Sequence, residues 1–207
     1  MQAVLAMQIL KIIITIIGAL LFLFVFWRRL KEDYTQGQIF STGFYMILLL
    51  SLGYFIAKFI LPAWWFWFVL LGLSGGLIVG VLRFQLRIFE VIEAATLGSI
   101  TWLWVMAVYN FITNAHLESL LIATGLLLLF SLFFYFDSHY KSFVWYRSGR
   151  VGFSGLMILG IFFLVRAGIA AYFPTMISFV GKSDIIVSAV FSFVAFLGVF
   201  SLARLGL

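Results

Sequence analysis

The chain has no cysteine. That excludes disulfides, thiolate catalysis, palmitoylation and covalent c-type haem. It also means that the protein is not itself a lipoprotein, because lipidation needs a cysteine acceptor. Charge is scarce as well: Asp, Glu, Lys and Arg together make up 10% of the residues, against about 25% in a soluble domain. So few charges over 207 residues leave too little polar surface to meet water. The bilayer must be the solvent. Proline occurs only at Pro62 and Pro174, and both fall between apolar runs, where a helix can end without losing a buried hydrogen bond.

What the chain has is apolar, at 65% of its residues. A membrane-spanning helix needs roughly 20 mostly apolar residues. Seven stretches qualify: Ile9–Trp27, Ile39–Leu61, Ala63–Leu82, Ile88–Ile112, Leu117–Phe136, Gly152–Phe173 and Ile185–Leu205. The fold expected is therefore an all-α bundle of about seven transmembrane helices, forming one polytopic domain over residues 1–207. No internal repeat is evident, and no linker separates two domains. A cleavable signal peptide is not expected, because the first positive charges of a loop follow the first apolar run and no small-residue cleavage site stands nearby.

The net charge of +6 does not point to nucleic acid, since the basic residues are dispersed over short loops between spans. There they set topology and hold anionic lipid. Arg28, Arg29, Lys31, Arg83, Arg87, Lys141, Arg147, Arg150 and Arg204 gather on one side, against Lys11, Lys58 and Lys182 on the other. The positive-inside rule predicts the N-terminus outside and the C-terminus in the cytoplasm. Trp27 and Trp145 on the basic side, with Trp64 and Trp65 opposite, fit two interfacial aromatic belts.

Polar groups at bilayer depth need partners. Arg166 lies about 20 Å along a helix that begins near Gly152, at 1.5 Å per residue, and no acid in its own helix is placed to pair with it. A snorkelling or structurally paired Arg is one reading; an anion site for a phospholipid headgroup is the other, for which the planar guanidinium is suited. Asn110 and Asn114, four residues apart, share one face near the outer end of the fourth span. They read as a solvated helix end or as a polar pocket. Ser74-Gly75-Gly76 interrupts the third span, and small residues there admit another backbone or a lipid chain. Glu90 and Glu93 are expected to pair with Arg87 or Arg83. Glu118 stands where an acid favours a helix N-terminus. His116 and His139 lie on opposite sides, so they cannot ligate one haem or metal. No metal and no cofactor are expected.

The order of these features resembles prolipoprotein diacylglyceryl transferase, over roughly Arg28 to Tyr172. The family's His-Gly-Gly-Leu is similar to Ser74-Gly75-Gly76-Leu77, followed by Arg83 and Arg87. An acidic residue before a small, apolar helix matches Phe89-Glu90-Val91-Ile92-Glu93-Ala94-Ala95. Gly-Asn-Phe-x-Asn is similar to Tyr109-Asn110-Phe111-Ile112-Thr113-Asn114, and a Leu-Tyr-Glu-like helix start to Leu117-Glu118-Ser119-Leu120-Leu121. Gly152 and Arg166 have the spacing of the family's helix-opening Gly and essential Arg. The resemblance implies transfer of diacylglyceryl from phosphatidylglycerol to a lipoprotein-precursor cysteine in a bacterial inner membrane. Arg166 would clamp the phosphate and Asn110 would orient headgroup oxygens. Glu118 would be the nearest base, with Ser74, Gly75, Gly76 and Asn114 lining the lipid site. The partners implied are phosphatidylglycerol or another anionic phospholipid and a lipoprotein signal peptide.

The sequence also departs from that pattern. Ser74 stands for the family His, Ala107 for an Arg, and Ala170 for a Glu. The first-helix Tyr motif is not recognisable, and the polar arm before the glycine motif is reduced to Leu61-Pro62-Ala63. A missing general base typically costs 10²–10⁴-fold in rate. Three readings follow: a divergent transferase, a non-catalytic protein that binds phospholipid or lipoprotein, and a small transporter with Arg166 as counter-ion. A deep acid–base pair would favour the last, and none is evident in the sequence.

Overall fold

The computed structural model describes residues 2–143, 146, 152–173 and 180–205. Among them the chain forms seven α-helices and no strand: α1 (Gln2–Leu30), α2 (Gln36–Ile60), α3 (Trp65–Phe84), α4 (Ile88–Asn114), α5 (Leu117–His139), α6 (Phe153–Tyr172) and α7 (Lys182–Leu205). Each is long and apolar enough to cross a membrane. The chain is a multi-pass helical membrane protein. Large apolar side chains remain exposed along nearly every helix, among them Ile12, Phe44, Phe59, Leu82, Ile112, Leu128 and Phe193. Water would penalise that surface, whereas acyl chains accept it.

The connections are short and locally determined. Thr35 precedes α2, where Gln38 turns back to accept the Thr35 N–H at 3.1 Å, as in half of a capping box. Pro62 opens a single 3₁₀ turn between α2 and α3. Gln85 and Ala115 end α3 and α4 in the left-handed region, at φ 53° and 52°. Pro174 and much of the segment 143–151 lie outside the described residues.

Hydrophobicity does not draw helices together in lipid, so packing rests on close backbone approach and on polar contacts. The α2–α3 hairpin shows the first. A Cβ on Gly76 would lie 2.4 Å from the Met46 Cα, and one on Gly72 2.2 Å from the Leu49 carbonyl oxygen. Only glycine admits backbones that close. Rather than breaking α3, the Ser74-Gly75-Gly76 triplet sits inside a continuous helix.

Helix α4 is the centre of the bundle, packed by α1, α5 and α6. Its buried stretch runs from Glu90 to Ile100 and includes Ala94, Ala95 and Gly98. Phe22 and Phe26 of α1 pack against this face with Met46 and Val91. Thr96 and Thr101 donate their hydroxyls to the carbonyls one turn back, at 2.8 and 2.9 Å, so neither is left unpaired in an apolar surround. Helices α6 and α7 form a second close pair, stitched by the Ser192 hydroxyl donating to the Gly160 carbonyl at 2.9 Å.

Candidate functional site

Two ionic centres lie in the bundle, one toward each end. The first is near the end where α1, α3, α5 and α7 finish, here termed the basic end. Glu93 on α4 is 2% exposed. Arg29, at the end of α1, donates to the Glu93 carboxylate and, at 2.9 Å, to Asp137 on α5. The other Glu93 oxygen accepts the Gly152 N–H at 2.6 Å, just before α6. Two carboxylates sharing Arg29 thus tie α1, α4 and α5 to the entry of α6. Gly152 is held at φ 82°, and a Cβ there would lie 2.7 Å from the Phe89 Cβ, so the entry to α6 requires glycine.

Beside this hub, Tyr34 donates its hydroxyl to Glu90 and accepts the Arg87 N–H at 3.0 Å. Arg87 also pairs with Glu90 at 3.1 Å. The expected Glu90–Arg87 pair is present. The partner of Glu93 differs from expectation: it is Arg29, because Glu93 faces the α1–α5–α6 side of α4. Tyr34 lies between spans, and burial, then its hydrogen bond to Glu90, push its phenol above the usual value. The exposed Arg87 is pushed up chiefly by its hydrogen bond to Glu90.

The second centre lies at the opposite end. Arg166 is buried, and one terminal nitrogen donates to both oxygens of Asp184 at 3.0 and 3.1 Å. Asp184 is fully buried and sits in the first turn of α7, where the helix dipole favours a carboxylate. It also accepts the indole N–H of Trp67 on α3 at 3.1 Å and the Val180 N–H at 2.9 Å. The Arg166 guanidinium lies 3.7 Å from the centre of the Phe66 ring and 5.4 Å from Trp67. Trp67 stacks in turn on Phe163.

The residues expected to form one site fall into separate surroundings. Arg166 faces Asp184, Phe66 and Trp67. The Asn110 side-chain amide donates to Ser119 at 3.1 Å, and Asn114 donates to the Asn110 side-chain oxygen at 2.6 Å, closing the α4–α5 turn. Glu118 is exposed in the first turn of α5, the place that suits a helix N-terminus. Gly76 is filled by the α2 backbone, whereas a Cβ on Gly75 would touch only the Leu49 side chain at 3.7 Å. Ser74 is half-buried on the same helix.

Compared with known protein families, with curated proteins and with solved structures, the chain matches none. The site is read from its own geometry. Sequence reasoning missed Asp184, Arg29, Asp137 and Trp67. Asp184 left a signal, since a carboxylate two residues inside a span needs a partner. Among the described residues no group of three or more His, Asp or Glu is arranged to hold a metal ion.

Charge is partly sorted radially at the basic end, where Glu32 and Asp33 of the α1–α2 loop are exposed and the other acids lie inward. The acids Glu90, Glu93 and Asp137 are buried and face Arg29 and Arg87. Arg28, Lys31, Arg83, Lys141 and Arg204 are exposed, and among the described residues none of them has a carboxylate within ion-pair distance. Four of these rest on aromatic rings: Lys31 on Trp27, Arg83 on Tyr45 and Phe84, Lys141 on Tyr140, and Arg204 on Phe200.

Proposed function

We propose that this chain is a non-catalytic membrane protein that binds anionic phospholipid, related in layout to the diacylglyceryl transferases. The observation that carries the reading is the commitment of Arg166 to Asp184. A cation meant to hold a leaving phosphate acts through its net charge, and here a fully buried carboxylate offsets that charge. Gly76, assigned to an acyl-chain cavity by the resemblance, instead accommodates α2. Ser74 and Ala107 supply neither base nor cation at the remaining positions. Groups that bind substrate and transition state equally accelerate chemistry little.

Phospholipid binding is supported by the radial sorting at the basic end. Three acids are withdrawn inward, so exposed basic residues outnumber the exposed acids Glu32 and Asp33 at the rim, and aromatic rings lie beside four of those cations. Such a rim attracts anionic headgroups by about 1 kcal/mol per basic residue. The reading places the chain in a bacterial inner membrane, C-terminus in the cytoplasm. The transporter reading is less well supported, because the Arg166–Asp184 pair lies close to the start of α7 and not at the midplane, where transporter sites are built.

The test is lipidation of a precursor peptide by purified protein with phosphatidylglycerol. The expected result is no product above background, in Ser74→His as well, because an added base titrating near pH 6.5 leaves Arg166 paired with Asp184 and Gly76 filled by α2. Turnover of the unmodified protein at ~1 s⁻¹ or faster would instead make the chain a transferase, with Glu118 the first base to substitute.

A further inference from the structure

We propose that Arg83 and Tyr45 form a phosphate-binding notch on the α2–α3 hairpin, taking the headgroup of an anionic phospholipid. The inference rests on the phospholipid reading above and gives it a defined site. Arg83 is in the last turn of α3, and its Nη1 donates to the Tyr45 hydroxyl of α2 at 2.9 Å. The guanidinium lies 5.7 Å from the Tyr45 ring centre and 5.9 Å from that of Phe84. Two rings and one hydrogen bond therefore favour one orientation of a side chain that, exposed, would otherwise sample many rotamers.

That orientation leaves donors unused. Among the described residues Arg83 has no carboxylate partner, and the Tyr45 hydroxyl proton has no acceptor. The remaining guanidinium N–H groups and the phenolic O–H therefore stand side by side, 2.9 Å separating Nη1 from the hydroxyl oxygen. A planar fork with an adjacent hydroxyl matches a phosphodiester oxygen pair, to which Arg binds bidentately. Arg29 and Arg87, at the same end of the bundle, are by contrast paired with acids.

The site is held in register by the hairpin itself. Gly76 packs on the Met46 and Tyr45 backbone, and Gly80 on Thr42, so Tyr45 and Arg83 cannot slide apart without breaking these close α2–α3 contacts. Phe44, whose ring lies 6.1 Å from that of Tyr45, and Leu82, next to Arg83 in the chain, are exposed. Apolar side chains beside the headgroup site would meet the acyl chains of a bound lipid, from which a free phosphate ion would gain nothing.

The experiment measures lipid retained by the full chain, purified from membranes containing phosphatidylglycerol and phosphatidylethanolamine, using native mass spectrometry. The wild type should enrich phosphatidylglycerol. Arg83→Ala should retain several-fold less of it, Arg83→Lys should not restore it, and Tyr45→Phe should fall between. Arg204→Ala, which removes a rim cation on a different helix, should lose less phosphatidylglycerol than Arg83→Ala does. Excess inorganic phosphate should not displace the lipid. If the wild type enriches phosphatidylglycerol but Arg83→Ala loses no more than Arg204→Ala, the notch is wrong while the phospholipid reading stands. No enrichment by the wild type would overturn both. Displacement by inorganic phosphate would show a soluble-anion site and overturn the lipid assignment.

Discussion

Asp184 faces Arg166 across the α6–α7 interface, 18 residues away in the chain, with both oxygens within 3.1 Å of one guanidinium nitrogen. The pair is almost completely removed from solvent, at 7% and 0% side-chain exposure. Trp67 joins it from α3, so three helices meet at one carboxylate. An Arg that stands alone in its own helix is thus a tertiary contact.

Removing one member of that pair leaves the other charge buried. Arg166→Ala or Asp184→Ala should each cost about 3–5 kcal/mol, whereas the double variant Arg166→Met, Asp184→Leu should lie near the wild type. Thermal unfolding in detergent reads the difference. A single variant as stable as the wild type would mean that the pair contributes nothing to the fold.

The α2–α3 hairpin gives a steric prediction. Gly76→Ala places a methyl 2.4 Å from the Met46 Cα, and overpacking of this kind costs about 1–3 kcal/mol. Gly75→Ala, one residue away, meets only the flexible end of Leu49 and should change stability by less than about 0.5 kcal/mol. Equal effects at the two positions would contradict the close approach of the backbones.

Tyr34 gives a pH dependence. Its phenol titrates above the ordinary value of 10.0, through burial and then its contact with Glu90. A raised value in the folded state means that its stabilising contribution is complete below the unfolded value and is lost as pH rises through the folded one. The stability gap between wild type and Tyr34→Phe should therefore be constant at neutral pH and shrink above pH 10.0. A gap that does not change across that range would show that the phenol takes no part.

Orientation is tested by reporter fusions after Leu207. The excess of Lys and Arg at the basic end predicts a cytoplasmic C-terminus. An alkaline phosphatase reporter should be inactive there and a cytoplasmic fluorescent reporter active. The opposite pattern would place the exposed rim of Arg83 and Arg204 on the outer leaflet.

The sequence by itself determined the class of the molecule and nearly all of its elements. Apolar runs such as Leu117–Phe136 and Ile88–Ile112 reappear as α5 and α4 extended by a few residues. Spanning length and backbone satisfaction in lipid are local requirements, met within each helix. The Glu90–Arg87 contact was legible for the same reason, since three residues of one chain segment separate its partners.

Only the tertiary structure decided which polar groups are satisfied. Glu93 pairs with Arg29 across 64 residues and Arg29 with Asp137 across 108. Sequence distance carries no information about such partners, because they depend on which face of each helix turns inward. In lipid that choice is made by close backbone packing, as at Gly76 against Met46, and the helix pattern is too uniformly apolar to reveal it. The same limit applies to Arg166: its depth could be counted along one helix, but its neutralisation by Asp184 depends on how α6, α7 and α3 come together.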